Sequence, residues 1–343
     1  MQYLNTSTLK ELNILFQKLG EPKFRAKQLF HFIHHELGQD IFNCSTFSKE
    51  LRQKLNLYPR DTIEILLTLE SKIDHTKKFL FQCEDGEIVE GVLMEYNHGL
   101  SQCISTQVGC KMGCTFCAST KEGCIRNLRA GEMLEQVYSV ERKYGKISNI
   151  ILMGSGEPFD NRKEVFRFLE LLHDSKGQNM SYRNMTISTC GIVPGILELA
   201  NMNLPITLAI SLHSPFQEDR EKIMPISKKY PIEEIIKACK YYFKETGRRV
   251  TFEYVLIDGV NNREKDIMKL KELLGDMPHH INVIPLNPIK EYNKKKPASS
   301  YVLKFQRQLK TSGLSVTIRR ELGADIDASC GQLRRRWQSK EKV

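Results

Sequence analysis

Three cysteines stand close together in Cys110-Lys111-Met112-Gly113-Cys114-Thr115-Phe116-Cys117. Their spacing, i, i+4 and i+7, lets three thiolates on one short loop converge on one centre. A structural zinc site draws four protein ligands, usually as two pairs. No second pair of Cys or His at zinc spacing lies nearby, and Cys124 is the only local candidate for a fourth ligand. A three-cysteine loop suits a 4Fe–4S cluster with one iron left open to a substrate or cofactor. A zinc or buried-thiol loop is the competing reading.

The other residues able to do chemistry fall mostly at the ends of strand-like segments. Met153-Gly154-Ser155-Gly156-Glu157-Pro158 is not a dinucleotide fingerprint, because Phe159 stands at the third glycine position. Gly154 and Gly156 let backbone approach a ligand, and Glu157 can accept from an ammonium group. A plain turn with a solvated Glu157 is the bland alternative. Ser188, Ser211-Leu212-His213 and Asn287 each close a strand, where a cap or a satisfied core polar group serves equally well. Cys103 lies seven residues before Cys110, on the adjacent strand. Cys330 lies in Gly323-Ala324-Asp325-Ile326-Asp327-Ala328-Ser329-Cys330-Gly331. A loop thiol between two glycines and two aspartates points to an accessible nucleophile rather than a packed hydrophobe. Cys44, Cys83, Cys124, Cys190 and Cys239 read as structural.

These residues need a scaffold. Thr8 and Glu11 fit a capping box, and Leu9, Leu12, Leu15, Phe16 and Leu19 follow a helical period up to Gly20. A second helix from Pro22 is expected to carry Phe24, Leu29, Phe30 and Ile33 inward, and a third covers about 48–55. From Thr62 to Gln107 the period becomes two. Strands are expected over 78–82, 89–94 and 102–106, with Asp85-Gly86 as a hairpin turn. Strands over 149–153, 185–188, 206–210, 250–255 and 281–284 then alternate with helical patterns, notably over 129–144, 162–173, 232–245 and 263–274. About six β/α units imply an α/β fold with a parallel sheet whose sites lie at the C-terminal strand ends.

The chain has 343 residues, 41% of them hydrophobic and 27% charged, which excludes disorder and coiled coil. Its formal charge of +10 favours a polyanionic partner, nucleic acid before an anionic membrane surface. Lys23, Arg25, Lys27, Arg248, Arg249, Arg319, Arg320 and Arg334 to Arg336 are candidates for a phosphate-binding face. There is no 18-residue apolar stretch and no signal-like start, so a cytoplasmic protein is expected. Ten cysteines in that compartment read as ligands and catalytic thiols rather than a disulfide framework.

The CxxxCxxC loop after a strand, opening a β/α series, resembles the radical S-adenosylmethionine (SAM) superfamily. FRAKQLF (24–30), STQVGCKMGCTFCAST (105–120), GEPFDN (156–161), ISTCGIVP (187–194), SLHSP (211–215), MPISKKYP (224–231) and DIDASCGQL (325–333) run collinearly over nearly the whole chain and resemble the RlmN/Cfr family of RNA methyltransferases. Pro158 favours its C2-methylating branch over the C8-methylating one. Gly91 stands where Thr is common, Ser155 lies inside the glycine motif and Ser329 stands where Ala is usual, and none of the three removes a functional group.

The resemblance implies a partial (β/α)6 TIM-like barrel with a small N-terminal helical domain and a β-hairpin extension. The expected divisions are 1–60 for a helical RNA-binding domain, 61–100 for the hairpin, 101–290 for the barrel core and 291–343 for the C-terminal segment. It implies a 4Fe–4S cluster on Cys110, Cys114 and Cys117, and SAM held by Gly156, Glu157, Ser188, Ser211, Leu212, His213 and Asn287. The implied substrates are 23S rRNA, at adenine 2503, and tRNAs, at adenine 37. Cys330 would take a methyl group from one SAM. A radical from a second SAM would remove hydrogen from that methyl, which then adds to C2 of the base. Cys103 would attack the Cys330 sulfur, forming a disulfide that releases the product, with Glu90 as proton acceptor. Unplaced, Glu90 reads as an edge-strand surface charge. A one-electron reductase such as flavodoxin or ferredoxin is implied, and a monomer is expected. C8 methylation, or a non-catalytic RNA-binding protein with structural zinc, are the alternatives.

Overall fold

The computed structural model describes residues 3–289, 291–326 and 332–341, so Cys330 lies outside the described residues. Three helices open the chain: α1 (Leu9–Lys18), α2 (Lys23–His34) and α3 (Lys49–Leu55). The capping box is present. Thr8 Oγ1 accepts from the Glu11 amide at 3.3 Å, and Glu11 Oε2 accepts from the Thr8 amide at 2.7 Å. Two amides that the first turn leaves open are thereby satisfied. Leu12, Phe16, Leu29, Phe30 and Ile33 are buried, but Phe24, expected inside, is 52% exposed. At about 100° per residue it lies half a turn from Ile33, on the outer face of α2.

An antiparallel meander follows: β1 (Ile63–Glu70), β2 (Lys77–Cys83), β3 (Ile88–Tyr96) and β4 (Gly99–Cys103). Asp85-Gly86 makes the β2–β3 turn, with Gly86 at φ 84°. The strand expected over 102–106 ends at Cys103. The amides of Thr106 and Gln107 turn instead to the Ser155 carbonyl, at 2.8 and 3.2 Å. That bond steers the chain into a separate two-stranded ribbon, β5 (Gln107–Gly109) with β6 (Cys124–Asn127).

The remainder alternates: α4 (Ala130–Tyr144), β7 (Ile147–Leu152), α5 (Arg162–His173), β8 (Met185–Thr189), α6 (Val193–Asn201), β9 (Thr207–Ser211), α7 (Gln217–Ile223), α8 (Ile232–Thr246), β10 (Val250–Leu256), α9 (Glu264–Leu274), β11 (His279–Pro285), α10 (Ser299–Thr311), β12 (Val316–Ile318) and α11 (Gln332–Glu341). Among the described residues the main sheet has ten strands in the order β1-β2-β3-β4-β7-β8-β9-β10-β11-β12. It is antiparallel as far as β4 and parallel from β4 to β12. The sheet does not close, so the barrel is partial. The three-residue β12 is too short to show a period in sequence. No helix among the described residues is long and apolar enough to cross a membrane.

Candidate active site

Strand register sorts the side chains into two faces. Ile150, Leu152, Ile187, Leu208, Ile210 and Phe252 are fully or almost fully buried in the main core, against helix residues such as Leu134, Leu169 and Leu199. Their alternates face the other way. Across the opposite face Lys78 pairs with Val92, Val92 with Cys103, Cys103 with Ile151 and Ile151 with Thr186. Further along the same face Ser188 pairs with Ala209, and Ser211 with Glu253, which pairs with Asn282. Alternation adds Glu90, two residues from Val92. Glu90, Cys103, Ser188 and Ser211 therefore share one face.

The cysteine loop hangs from the ribbon beside these strand ends. The Cys110 amide donates to the Gly123 carbonyl at 2.7 Å, and the Thr115 amide to the Ile223 carbonyl, at the end of α7, at 2.9 Å. Gly109, at φ 79°, has no room for a side chain, because a Cβ would come 2.1 Å from the Gly123 oxygen. Cys110 and Cys114 are buried and Cys117 is half-buried. Burial pushes the Cys110 thiol up to about 12, and Cys117 and Glu157 add to the effect. Cys114 is raised too, first by burial and then by Cys117 and Cys110. No three Cys, His, Asp or Glu side chains among the described residues are placed to hold a single metal ion. In a cubane cluster each thiolate binds its own iron, so the sulfurs stand apart instead of meeting at a point.

The segment after β7 is tied to the ribbon. Gly156 has φ 109°, and a Cβ there would come 2.7 Å from both the Gln107 amide nitrogen and Thr106 Oγ1. Gln107 Oε1 accepts from the Glu157 amide at 2.8 Å, while its Nε2 donates to Asn127 and Asp160 at 2.7 and 2.8 Å. The Glu157 carboxylate is buried. It accepts from the amides of Phe159 and Cys190, at 3.0 and 2.7 Å. Burial raises its carboxyl above the usual range, and those amides oppose the rise. The solvated reading of Glu157 does not hold.

His213 is buried at φ 57°, and its Nδ1 accepts from the Val255 amide at 3.0 Å. Burial and the nearby Arg220 bring its pKa down to about 3, so the ring is neutral with its proton on Nε2. It meets Phe116 of the cysteine loop edge-on, with ring centroids 5.0 Å apart. Leu212 is buried and Ser211 half-buried at the end of β9. Asn287 does not close a strand. β11 ends at Pro285, and Asn287 is exposed two residues beyond.

Glu90 is not an edge-strand surface charge. β3 lies inside the sheet between β2 and β4, and Glu90 is 4% exposed. Its Oε2 is 3.0 Å from Lys78 Nζ, and its Oε1 accepts from the Arg334 amide in the first turn of α11. A small cavity beside the cysteine loop is lined by Glu90, Ala118, Ser119, Glu122, Ser155, Arg334 and Arg335. The arginine run is accordingly not a free phosphate-binding strip. Arg334 is buried 3.8 Å from Glu87 and 3.7 Å from Glu122, and Arg335 pairs with Glu291. Lys23, Lys27, Arg249 and Arg320 are exposed and form no ion pair with the described carboxylates.

The sequence reading missed Lys78, Gln107, Glu253 and Arg220. Arg220, on α7, is fully buried. Its Nε donates to the Leu212 carbonyl at 3.0 Å, Nη1 to Ser227 Oγ at 2.8 Å, and Nη2 to the carbonyls of Cys190 and Ser211 at 2.6 and 3.0 Å.

Comparison with known proteins is decisive at this point. Residues 104–270 match the model of the radical SAM superfamily, and residues 4–58 that of the ribosomal RNA large subunit methyltransferase N-terminal domain. A probable dual-specificity RNA methyltransferase RlmN of Alkaliphilus oremlandii is 51% identical over 96% of each chain. That of Lachnospira eligens is 50% identical over 95% of this chain and 94% of its own. The chain belongs to the RlmN family of radical SAM methyltransferases. Its fold agrees with the crystal structure of a radical SAM methyltransferase from Sphaerobacter thermophilus, at a TM-score of 0.92 and 39% identity over 97% of this chain and 99% of that one. Membership of the superfamily brings a 4Fe–4S cluster and SAM as cofactors. The donor set fits the cluster: three thiols on one ribbon-held loop, with burial costs that iron's positive charge would offset.

Proposed function

We propose that this RlmN-family chain methylates C2 of an adenine in RNA, at adenine 2503 of 23S rRNA and adenine 37 of tRNAs. The observation that carries the reading is the 51% identity with a dual-specificity RNA methyltransferase over 96% of both chains. Cys110, Cys114 and Cys117 would hold the cluster. Gly156, Glu157, Ser188, Ser211, Leu212, His213 and Asn287 remain the proposed surroundings of SAM, with Glu157 and His213 acting through the backbone they fix. When bound, these cofactors supply a methyl group and a carbon radical, which C2 requires because it is electron-poor and no nucleophile toward a sulfonium methyl.

The chain's own residues supply placement. Cys330, two residues before α11 in sequence, carries the methyl group as a thioether. Cys103, buried on β4 beside Val92, Ile151 and Met153, attacks the Cys330 sulfur. Cys103 gives up its thiol proton, the new S–S bond replaces the S–C bond, the S–C bonding pair leaves with the methylene carbon, and that carbon takes up a proton to become the methyl group of the freed base. Glu90, on the same face as Cys103, accepts the proton from C2. The target adenine must leave its stack to arrive here, which favours loops and bulges over duplex. The helical unit before β1 and the exposed Lys23 and Lys27 are the proposed RNA contacts. An external one-electron reductase, a monomeric enzyme and a cytoplasmic setting complete the proposal.

The test is anaerobic reconstitution with SAM, a reductant and protein-free rRNA or tRNA, followed by nucleoside mapping. C2-methyladenine is expected; C8-methyladenine or no product refutes the reading. Cys330→Ala should abolish methylation with iron content intact. Cys103→Ala should trap protein covalently joined to RNA on a denaturing gel.

A further inference from the structure

Lys78, Val92 and Cys103 form one row across β2, β3 and β4, with Glu90 one step along the same face. Lys78 has 0% side-chain exposure and Glu90 5%, and their charged atoms are 3.0 Å apart. Lysine is almost never fully buried unless paired. As a device for joining two strands the pair is poor, because apolar residues of similar volume hold a sheet at least as well. Its location supplies the reason for it. The Glu90 oxygen not facing Lys78 accepts from the Arg334 amide, and the carboxylate lines the cavity that Ser119 and Ser155 share beside the cysteine loop.

We propose that Lys78 is a positioning residue: its ammonium, 3.0 Å from Glu90, holds the carboxylate aimed into the cavity, so that a base waits where the proton on adenine C2 must leave. The proposal rests on the reading of Glu90 as proton acceptor. In that step the C2–H bond breaks, the proton passes to a Glu90 oxygen and the bonding pair stays with the ring, while the one unpaired electron left by radical addition would return to the cluster that the three cysteines would hold. Lys78 exchanges nothing. Among the described residues, the other charged groups around Glu90 include Arg334 and Arg335 of α11, Glu87 of the hairpin turn and Glu122 beyond the cysteine loop. Glu87 and Glu122 are held near Arg334, 3.8 and 3.7 Å away, which leaves Lys78 as the cation facing the carboxylate from the strand side. Without it, the buried carboxylate has no countercharge on the strand side to fix its direction.

The experiment compares Lys78→Met, Lys78→Arg and Glu90→Gln as reconstituted holoenzymes, reading iron content, methylated-protein mass and the kcat and KM of RNA methylation. Methyl loading of the protein precedes any need for Glu90. Lys78→Met should therefore load iron and methyl as the wild type does, yet lose about tenfold or more of kcat for RNA methylation with the KM for RNA unchanged. Lys78→Arg should restore the wild-type kcat. A wild-type kcat in Lys78→Met overturns the proposal, as does loss of iron or methyl loading in that variant, which marks a purely structural role. If Glu90→Gln turns over normally, the reading of Glu90 itself fails. If Glu90→Gln is inactive while Lys78→Met is normal, only the role of Lys78 fails.

Discussion

Replacing Arg220 with Met should cost far more than its place in a charged helix suggests. Four acceptors are satisfied by this one side chain: the carbonyls of Cys190, Ser211 and Leu212, and Ser227 Oγ. Burial holds the guanidinium below its usual range, so part of its cost is already present in the native state. The Leu212 carbonyl keeps the Ser214 amide at 2.7 Å, which leaves three stranded acceptors; at about 1–3 kcal/mol each they cost about 3 kcal/mol at the low end. Relief from burying the charge offsets part of this, leaving about 2 kcal/mol. Against a total of about 5–15 kcal/mol for a domain, such a loss is readily seen in urea unfolding followed by circular dichroism. The effect should reach the cysteine loop, because the Thr115 amide bonds to Ile223 at the end of the same helix. Iron content after reconstitution should therefore fall as well. Arg220→Lys, a point donor in place of a fork, should recover less than half of the stability. An Arg220→Met variant within about 1 kcal/mol of the wild type and fully loaded with iron would show that the fork does not tie these strand ends together.

Gly156→Ala places a methyl group 2.7 Å from Gln107 N and Thr106 Oγ1 at a positive φ, so about 2–4 kcal/mol of stability and most SAM affinity should go, as read by urea unfolding and equilibrium dialysis. His34 is buried with Nδ1 2.9 Å from Tyr138 Oη, and burial followed by Arg60 brings its pKa down to about 3. Between about pH 6.5 and 3 the unfolded chain binds this proton and the native chain does not, so the stability is full above 6.5 and drains as pH falls. At pH 5 that amounts to about 2 kcal/mol, and His34→Gln should lose correspondingly less between pH 7.5 and 5; equal losses in both proteins would refute the assignment.

The cysteine loop was legible because its information is local: three donors within one loop, and too few partners for zinc. Residues whose meaning depends on what stands beside them were not. Alternation around Glu90 announces a strand, but only β2 and β4 on either side make that strand internal and the charge buried. Gln217-Glu218-Asp219-Arg220-Glu221-Lys222 is an unbroken polar run, and nothing local marks Arg220 as the residue that turns inward. Arg334 to Arg336 read as a phosphate strip, whereas docking of α11 buries Arg334 beside Glu87 and Glu122. Phe24 was misplaced by half a helical turn, and Asn287 by two residues beyond a strand end.

One signal was in plain view and carries furthest. Parallel strands covered on both faces run almost continuously apolar. Here polar residues alternate into them: Thr186 and Ser188 on β8, Thr207 and Ser211 on β9, Thr251 and Glu253 on β10, Asn282 on β11. Those that the register aligns fall on the face opposite the helices, and most of them are half-buried, whereas their apolar neighbours are fully buried. A sheet that sets polar groups along one face of each of its central strands is not filling a core on that side. It is lining a space for something polar, and Cys103, Glu90 and Lys78 extend the same lining across the antiparallel strands. The meander thus continues the same face, which is how the proposed base Glu90 and the Cys103 thiol stand together on strands that precede the cysteine loop in the chain.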